Sequence, residues 1–224
     1  MANRKISFVT GEYYHVYNRG VDKRDVISDS YDANRFMQSI LEFNSVEPIG
    51  SIYENSFNNL SADNQLGSRT SKLKPLVNFI CYCLNPNHYH FILEQVSEQG
   101  VEKFMQRLGT GYTKYFNNRY KRSGSLFQGK FKATHINSNE YLLHLSVYVN
   151  LNDRTHTLGS PASKCVQSSW GEYVGETNHT ICNKDIIFNQ FKNQSEYKDF
   201  ALNSLEYFQE KRRTDKELSL MLLD

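Results

Sequence analysis

The sequence is poor in the residues that stabilise small cysteine-rich or zinc-bound domains. It has four cysteines and one tryptophan in 224 residues. Cys81 and Cys83 form a C-x-C in the apolar stretch "FICYCL", and this spacing matches neither a C-x-x-C pair nor a zinc quartet. We interpret both as small core residues, because a free cysteine behaves as a small hydrophobe. The cysteine pattern therefore gives no support to a structural zinc site.

The chain also lacks long apolar runs and a large excess of one charge. No run approaches the ~18 apolar residues of a membrane-spanning helix, and the start has no apolar core of signal-peptide length. With free thiols as well, this predicts a cytoplasmic protein without a membrane partner. The net charge is only +2, so binding of nucleic acid would need basic residues concentrated on one face.

Hydrophobic and aromatic residues, in contrast, are plentiful. The chain is 39% hydrophobic and has 15 Tyr and 14 Phe, which is enough apolar surface for a true core. Its length suggests one sizeable domain, or one domain with an appendage. Tyrosines stack on bases and also fill cores, so composition alone favours neither role.

The hydrophobic pattern predicts the order β-α-β-β-α-β followed by another helix. Alternation predicts four strands, in "EYYHVYNRG", "LVNFICYCLN", "HYHFILEQ" and the stretch ending in "KFKATHI". Helical spacing predicts helices in "DSYDANRFMQSILEFNSV", "GVEKFMQRLGTGYTKYFNNRYKR" and "NSNEYLLHLSVYVNLND", with Asp32 and Asn137 as expected caps of the first and last. This order is that of an α+β, ferredoxin-like fold: an antiparallel sheet with helices on one face.

Two segments have weaker patterns. Residues 51–75 are polar and predict a flexible insertion within a main domain of residues 1–152. Residues 153–224 predict a small C-terminal extension that is loop-rich at first and then helical.

The stretch "LNPNHYHFILEQ" places two histidines in what is otherwise a buried strand, after a tight turn at Asn85-Pro86-Asn87. On a strand His88 and His90 point to one face and Tyr89 to the other. Two parallel imidazoles can form half of a metal site, hydrogen-bond to each other, or be unrelated surface residues.

The last predicted helix offers partners for these histidines. Tyr141, His144, Tyr148 and Asn152 are spaced by three, four and four residues and share one helix face. A helix packed across the sheet could direct a hydroxyl and an amide at the histidines. Two imidazoles and one amide oxygen leave positions open for water or phosphate, which suits Mg²⁺ or Mn²⁺ in phosphoryl transfer.

Four motifs, taken together, resemble a known family. "YHVYNRG", "CLNPNHYHFILEQ", "FMQRLGTGYTKYFNNRYKRSGSLFQGKFKA" and "YLLHLSVYVNLN" occur in the order and at the distances found in single-tyrosine HUH transposases of bacteria, and most resemble the REP-associated tyrosine transposases. The resemblance covers about residues 13–152, and a weaker similarity occurs at "SSWGEYVG". It implies that His88, His90 and Asn152 bind Mg²⁺ or Mn²⁺ and that Tyr148 is the nucleophile.

The resemblance also implies a reaction. Tyr148 would attack single-stranded DNA at a site associated with a hairpin or palindrome, forming a 5′-phosphotyrosine and freeing a 3′-hydroxyl. A 3′-hydroxyl would later reverse the step and join strands. A tyrosine hydroxyl, with an ordinary pKa near 10, needs help at neutral pH, and His144 is a candidate general base, although it could merely pack there.

Basic and aromatic residues that could contact the DNA alternate along the second predicted helix and the loop after it. Such alternation neutralises phosphates and offers stacking platforms to unpaired bases, whereas a solvated helix face is the plainer interpretation. The predicted DNA-binding residues are Arg19, Arg107, Lys114, Tyr115, Arg119, Arg122, Phe127, Lys130 and Lys132.

Other readings stay open. A domesticated relative could bind hairpin DNA without cutting it, and a phosphoesterase could use water instead of Tyr148. The protein could act as a monomer or a homodimer. The chain departs from the family after the tyrosine, where "NDRTHTLG" replaces the usual Asn-Pro-Val-Arg-Ala-Gly, so the proline is lost.

Overall fold

The centre of the fold is a five-stranded antiparallel sheet of order β4-β1-β3-β2-β5. The computed structural model describes residues 6–52, 74–155, 165–177 and 180–221, so most of the predicted insertion at 51–75 lies outside the described residues. The strands are β1 (Tyr13–Arg19), β2 (Val77–Leu84), β3 (His88–Gln95), β4 (Lys132–His135) and β5 (Gln167–Ser168). The predicted α+β fold is confirmed.

The helices follow the predicted order. They are α1 (Ser30–Phe43), α2 (Gly100–Arg119), α3 (Asn139–Asn150), α4 (Asn152–Thr155), α5 (Trp170–Val174), α6 (Asp185–Phe188) and α7 (Gln194–Met221), with a 3₁₀ turn at Val21–Lys23. Among the described residues, none of these helices has the length and apolar character needed to cross a bilayer.

Two predicted caps were each placed on the wrong residue. Asp29 caps α1, its Oδ1 accepting from the Asp32 amide at 3.0 Å, and Ser138 caps α3 by accepting from the Tyr141 amide at 3.2 Å. Each of these side chains is three residues before the amide that it accepts from, which is the geometry of an N-cap. The Asp32 side chain does not cap α1 and is instead buried inside the fold.

Helices α1 and α2 cover one face of the sheet. Phe36 of α1 packs on Tyr89 and Phe91, with ring centroids 5.6 and 6.5 Å apart. The two helices approach closely at Gly111, where a Cβ would lie only 2.5 Å from the Phe43 ring. A larger residue at this position would push α1 away from α2.

Helix α3 lies on the opposite face, held there by the C-terminal segment. Asn150, which is fully buried, donates to the Tyr197 hydroxyl of α7 at 2.9 Å and accepts from the Ser169 hydroxyl at 2.5 Å. Tyr173 of α5 donates to the Ile80 carbonyl of β2 at 2.8 Å. The C-terminal segment thus fixes α3 on the sheet and adds β5 to its edge, which the sequence pattern did not predict.

Cys81 and Cys83 are core residues, as predicted. Cys81, Cys83 and Cys182 are buried and free, and burial raises the pKa of each thiol. Such thiols remain protonated and pack as small apolar groups.

Candidate active site

The pairing of β1 with β3 decides which side chains share the face of the two histidines. Arg19 is opposite His88 and Tyr17 is opposite His90. Residues directly opposite in an antiparallel pair point to the same face, and His15 follows at the period of two. One strip of the sheet therefore holds two basic or aromatic residues and three histidines, on the face that α3 covers.

Helix α3 brings Tyr148 onto this strip. Its ring lies 5.5 Å from the His90 ring and 6.4 Å from the His15 ring, with interplanar angles of 84° and 85°. Tyr148 is half-buried, so its ring is held by neighbours while part of it faces solvent. A single chain thus supplies both the tyrosine and the histidines.

His88 and Asn152 meet through atoms that both carry lone pairs. His88 Nε2 lies 3.1 Å from Asn152 Oδ1, and His88 Nδ1 lies 2.6 Å from Asn87 Oδ1. The Asn87 oxygen can only accept, so it favours the tautomer with the proton on Nδ1, in which Nε2 presents a lone pair. An imidazole lone pair beside an amide oxygen is a suitable pair of ligands for a divalent cation.

Asn85 is the third side chain at this point. Its Nδ2 lies 2.7 Å from Asn152 Oδ1 and 3.0 Å from His88 Nε2. Its backbone amide donates to the His88 carbonyl at 2.8 Å and closes the predicted tight turn, which is confirmed. The turn prediction did not anticipate that both of its asparagines would contact His88.

His15 is a second residue that the sequence reasoning missed. Its Nε2 lies 2.9 Å from His90 Nδ1, and the two rings stack with centroids 5.1 Å apart. Burial lowers the pKa of His15 to about 4, so it is neutral at neutral pH. A neutral His15 can accept a hydrogen bond from His90 Nδ1–H, which leaves His90 Nε2 with its lone pair. In the sequence, the alternation within "YHVYNRG" places His15 on the same strand face as Tyr17 and Arg19, and this was the pattern that could have indicated His15.

These residues fit a divalent metal only if amides take part. Within the described ranges, no group of three or more His, Cys, Asp or Glu side chains is placed to hold a metal. The ligand set would instead be His88, His90 and the Asn152 oxygen, each histidine having its Nδ1 beside a partner. Metal-bound histidines usually have such a partner on the second nitrogen.

His144, the predicted general base, lies on the outer side of α3. It is exposed, and its ring packs on Phe200 of α7 at a centroid distance of 5.4 Å. This contact accounts for its place on the helix, and a role in proton transfer stays a prediction.

Two of the predicted DNA contacts lie beside the site. Arg19 projects next to His88 and donates through Nε to Gln128. Lys132 is opposite Tyr17 in the pairing of β1 with β4, so it belongs to the same face. Arg19, Lys130 and Lys132 are all exposed.

The predicted contacts on α2 lie across the sheet from Tyr148, and two of them form a partly buried network. Arg119 pairs with Asp29 and Asp32, both at 2.5 Å, and Tyr115 donates to Asp32 at 3.0 Å. The Asp32 side chain is fully buried, and a buried carboxylate needs such partners. Arg119 and Tyr115 therefore stabilise the contact between α1 and α2, and their assignment to DNA stays a prediction.

Of the other predicted DNA contacts, Arg107 and Phe127 also have contacts within the protein or little exposed surface. Arg107 donates to the carbonyls of Ser45 and Val46, and Phe127 is only 8% exposed, too little for a stacking platform. Their assignment to DNA stays a prediction that these contacts do not support. Arg122 donates to Asn117 Oδ1 at 3.0 Å, and Lys114 is exposed on α2, away from the histidine face.

Comparison with known proteins gives one family match. Residues 69–152 match the family described as "Transposase IS200 like". No curated protein matches the chain. Among solved structures, a REP-associated tyrosine transposase bound to a REP hairpin aligns with 12% identity and a TM-score of 0.47, over 81% of this chain and 90% of that one.

Proposed function

We propose that this protein is a metal-dependent DNA strand transferase that uses Tyr148 as its nucleophile, since residues 69–152 match the family of IS200-like transposases. The observation that carries the proposal is the placement of the Tyr148 ring 5.5 Å from the ring of His90. A water-using phosphoesterase would need no tyrosine at this place.

The chemistry exchanges one phosphate ester for another. The Tyr148 oxygen forms a bond to phosphorus while the bond from phosphorus to the 3′ oxygen breaks. The phenolic proton leaves, and the departing 3′ oxygen takes up a proton. Attack by a 3′-hydroxyl on the phosphotyrosine reverses these changes and frees Tyr148. Since ester bonds are exchanged one for one, no ATP is required.

His88, His90 and Asn152 are the residues that would hold a Mg²⁺ or Mn²⁺ ion. When bound, the ion supplies positive charge that stabilises the negative charge developing on the phosphate oxygens. Asn87 and His15 can keep a lone pair available on Nε2 of each imidazole by accepting a hydrogen bond from its Nδ1–H.

The DNA strand is proposed to run along the exposed side of β1 and β4. Arg19 and Lys132 lie on the histidine face and can neutralise phosphates on either side of the scissile bond. Tyr17, half-buried and stacked on His90 at 5.5 Å, offers a ring beside them. Cations next to a ring are the usual means of holding single-stranded DNA.

The first test concerns the form of the substrate. A hairpin oligonucleotide with a single-stranded flank should be cut in Mg²⁺, and a fully paired duplex of the same sequence should not, because Tyr148 must reach an unpaired phosphodiester in line. Denaturing gels of end-labelled DNA measure this. Equal cutting of both forms would contradict the proposal, and hairpin binding without cutting would favour a domesticated binder.

The second test concerns the DNA-binding face. Lys132→Ala should weaken single-strand binding and reduce the slope of log K against log salt by about 0.7, the value for one lost phosphate contact. Fluorescence anisotropy across a salt series measures the slope. Lys114→Ala is the matched control, an exposed lysine on the other side of the sheet, and should leave the slope unchanged. The reverse result would place the DNA on α2.

A further inference from the structure

A buried amide beside the proposed metal ligands has one atom that the proposed function does not use. Asn85 is fully buried, and in the described part of the chain its Oδ1 has no hydrogen-bond partner. Leaving a buried amide oxygen unsatisfied costs roughly 1–3 kcal/mol. This oxygen belongs to the amide whose Nδ2 contacts two candidate ligands, so one end of the Asn85 side chain is satisfied and the other is not.

The hydrogen bonds of Asn85 conflict with metal binding. Its Nδ2 lies 3.0 Å from His88 Nε2 and 2.7 Å from Asn152 Oδ1. An imidazole nitrogen has a single lone pair, which can accept an amide proton or bind a cation but cannot do both. In this orientation Asn85 and a metal ion therefore compete for His88.

Rotation of the amide by 180° removes the conflict. It exchanges Oδ1 and Nδ2 without moving the rest of the side chain, so that Oδ1 faces His88 Nε2 and Asn152 Oδ1. Those two atoms are themselves 3.1 Å apart. Ligands at right angles and about 2.1 Å from Mg²⁺ lie roughly 3.0 Å from one another. The three positions thus have the spacing of one face of an octahedral site.

We infer that Asn85 is an additional metal ligand: its Nδ2 holds His88 and Asn152 in register before the metal arrives, and its Oδ1 turns inward to bind the ion. The inference rests on the proposed function, because it extends the same metal site. It names a fourth protein ligand beside His88, His90 and Asn152, and a hard oxygen donor of the kind that Mg²⁺ and Mn²⁺ prefer.

Isothermal titration of DNA-free protein with Mn²⁺ tests the inference by the direction of change. Asn85→Leu should bind Mn²⁺ at least about tenfold more weakly, because an oxygen ligand is lost, and Asn85→Asp should bind more tightly, because a carboxylate replaces the amide. If Asn85 only donates hydrogen bonds, the leucine removes a competitor and affinity stays equal or rises. That result, or weaker binding by Asn85→Asp, would overturn the inference.

Further measurements cover the case in which Asn85→Leu does not fold, and separate the role of Asn85 from the proposed metal site as a whole. If circular dichroism shows that Asn85→Leu does not fold, Asn85→Asp decides alone. A crystal structure with Mn²⁺ should place Asn85 Oδ1 about 2.1–2.2 Å from the ion, and a distance beyond hydrogen-bond range overturns the inference. His88→Ala separates this question from the proposed function: if it binds Mn²⁺ like the wild type, the whole metal site is wrong, and otherwise only Asn85 is in question.

Discussion

Replacing Tyr148 by phenylalanine should abolish the covalent link between protein and DNA while leaving DNA binding intact. The change removes one oxygen atom, the proposed nucleophile, and keeps the ring that packs 5.5 Å from His90. Loss of a catalytic nucleophile commonly reduces rates by roughly three orders of magnitude or more. With single-stranded DNA labelled on the 3′ side of the scissile bond, wild type should carry the label through a denaturing gel and Tyr148→Phe should not.

The sharpest control is Tyr17, because its ring lies as close to His90 as that of Tyr148, at 5.5 Å. Tyr17→Phe should keep the adduct, and so should Tyr141→Phe, which changes an exposed side chain of α3. An adduct that persists in Tyr148→Phe and disappears in Tyr17→Phe would move the nucleophile to β1. Cleavage by wild type without any adduct would instead indicate an attacking water.

The spacing of side chains on one element predicted a large part of the site. Alternation placed His88 and His90 on one face of a strand, and helical spacing placed Tyr148 and Asn152 one turn apart. The structure brings this set together although α3 ends at Asn150 and Asn152 begins the next short helix. Such local geometry depends only on residues near one another in the chain, which is why it can be read from sequence.

Contacts across the sheet could not be predicted in the same way. His15 lies in the motif "YHVYNRG", but only the register of β1 against β3 shows that it shares the face of His90. Register depends on pairing between strands more than 60 residues apart, and a slip of one residue would turn His15 to the other face.

The basic helix α2 shows what a pattern on one element leaves open. Arg119 and Tyr115 alternate with other rings and cations as a DNA-binding surface would, but α1 brings Asp29 and Asp32 against them. Periodicity shows which residues share a helix face, but it does not show whether that face contacts DNA, solvent or another helix. A charge pattern on one helix therefore cannot separate a binding surface from an internal ion-pair network.

A graded loss of metal affinity should distinguish ligands from the residues that orient them. His90→Ala removes a ligand and should lower Mn²⁺ affinity by more than roughly 100-fold. His15→Leu leaves the ligand but removes the atom that lies 2.9 Å from His90 Nδ1, and loss of such a partner costs about 10–100-fold in affinity. Titration calorimetry of DNA-free protein measures both, with circular dichroism to verify folding.

The conservative variant His15→Gln provides the decisive comparison. Its side-chain oxygen can accept from His90 Nδ1–H, so it should recover part of the affinity that His15→Leu loses, whereas a purely packing role would favour the leucine. His135→Leu is the matched control, because this histidine pairs with Glu12 at 2.9 Å on the outer strand β4. It should bind Mn²⁺ as the wild type does. Wild-type affinity in His15→Leu would show that His90 needs no partner, and wild-type affinity in His90→Ala would exclude His90 from the metal site.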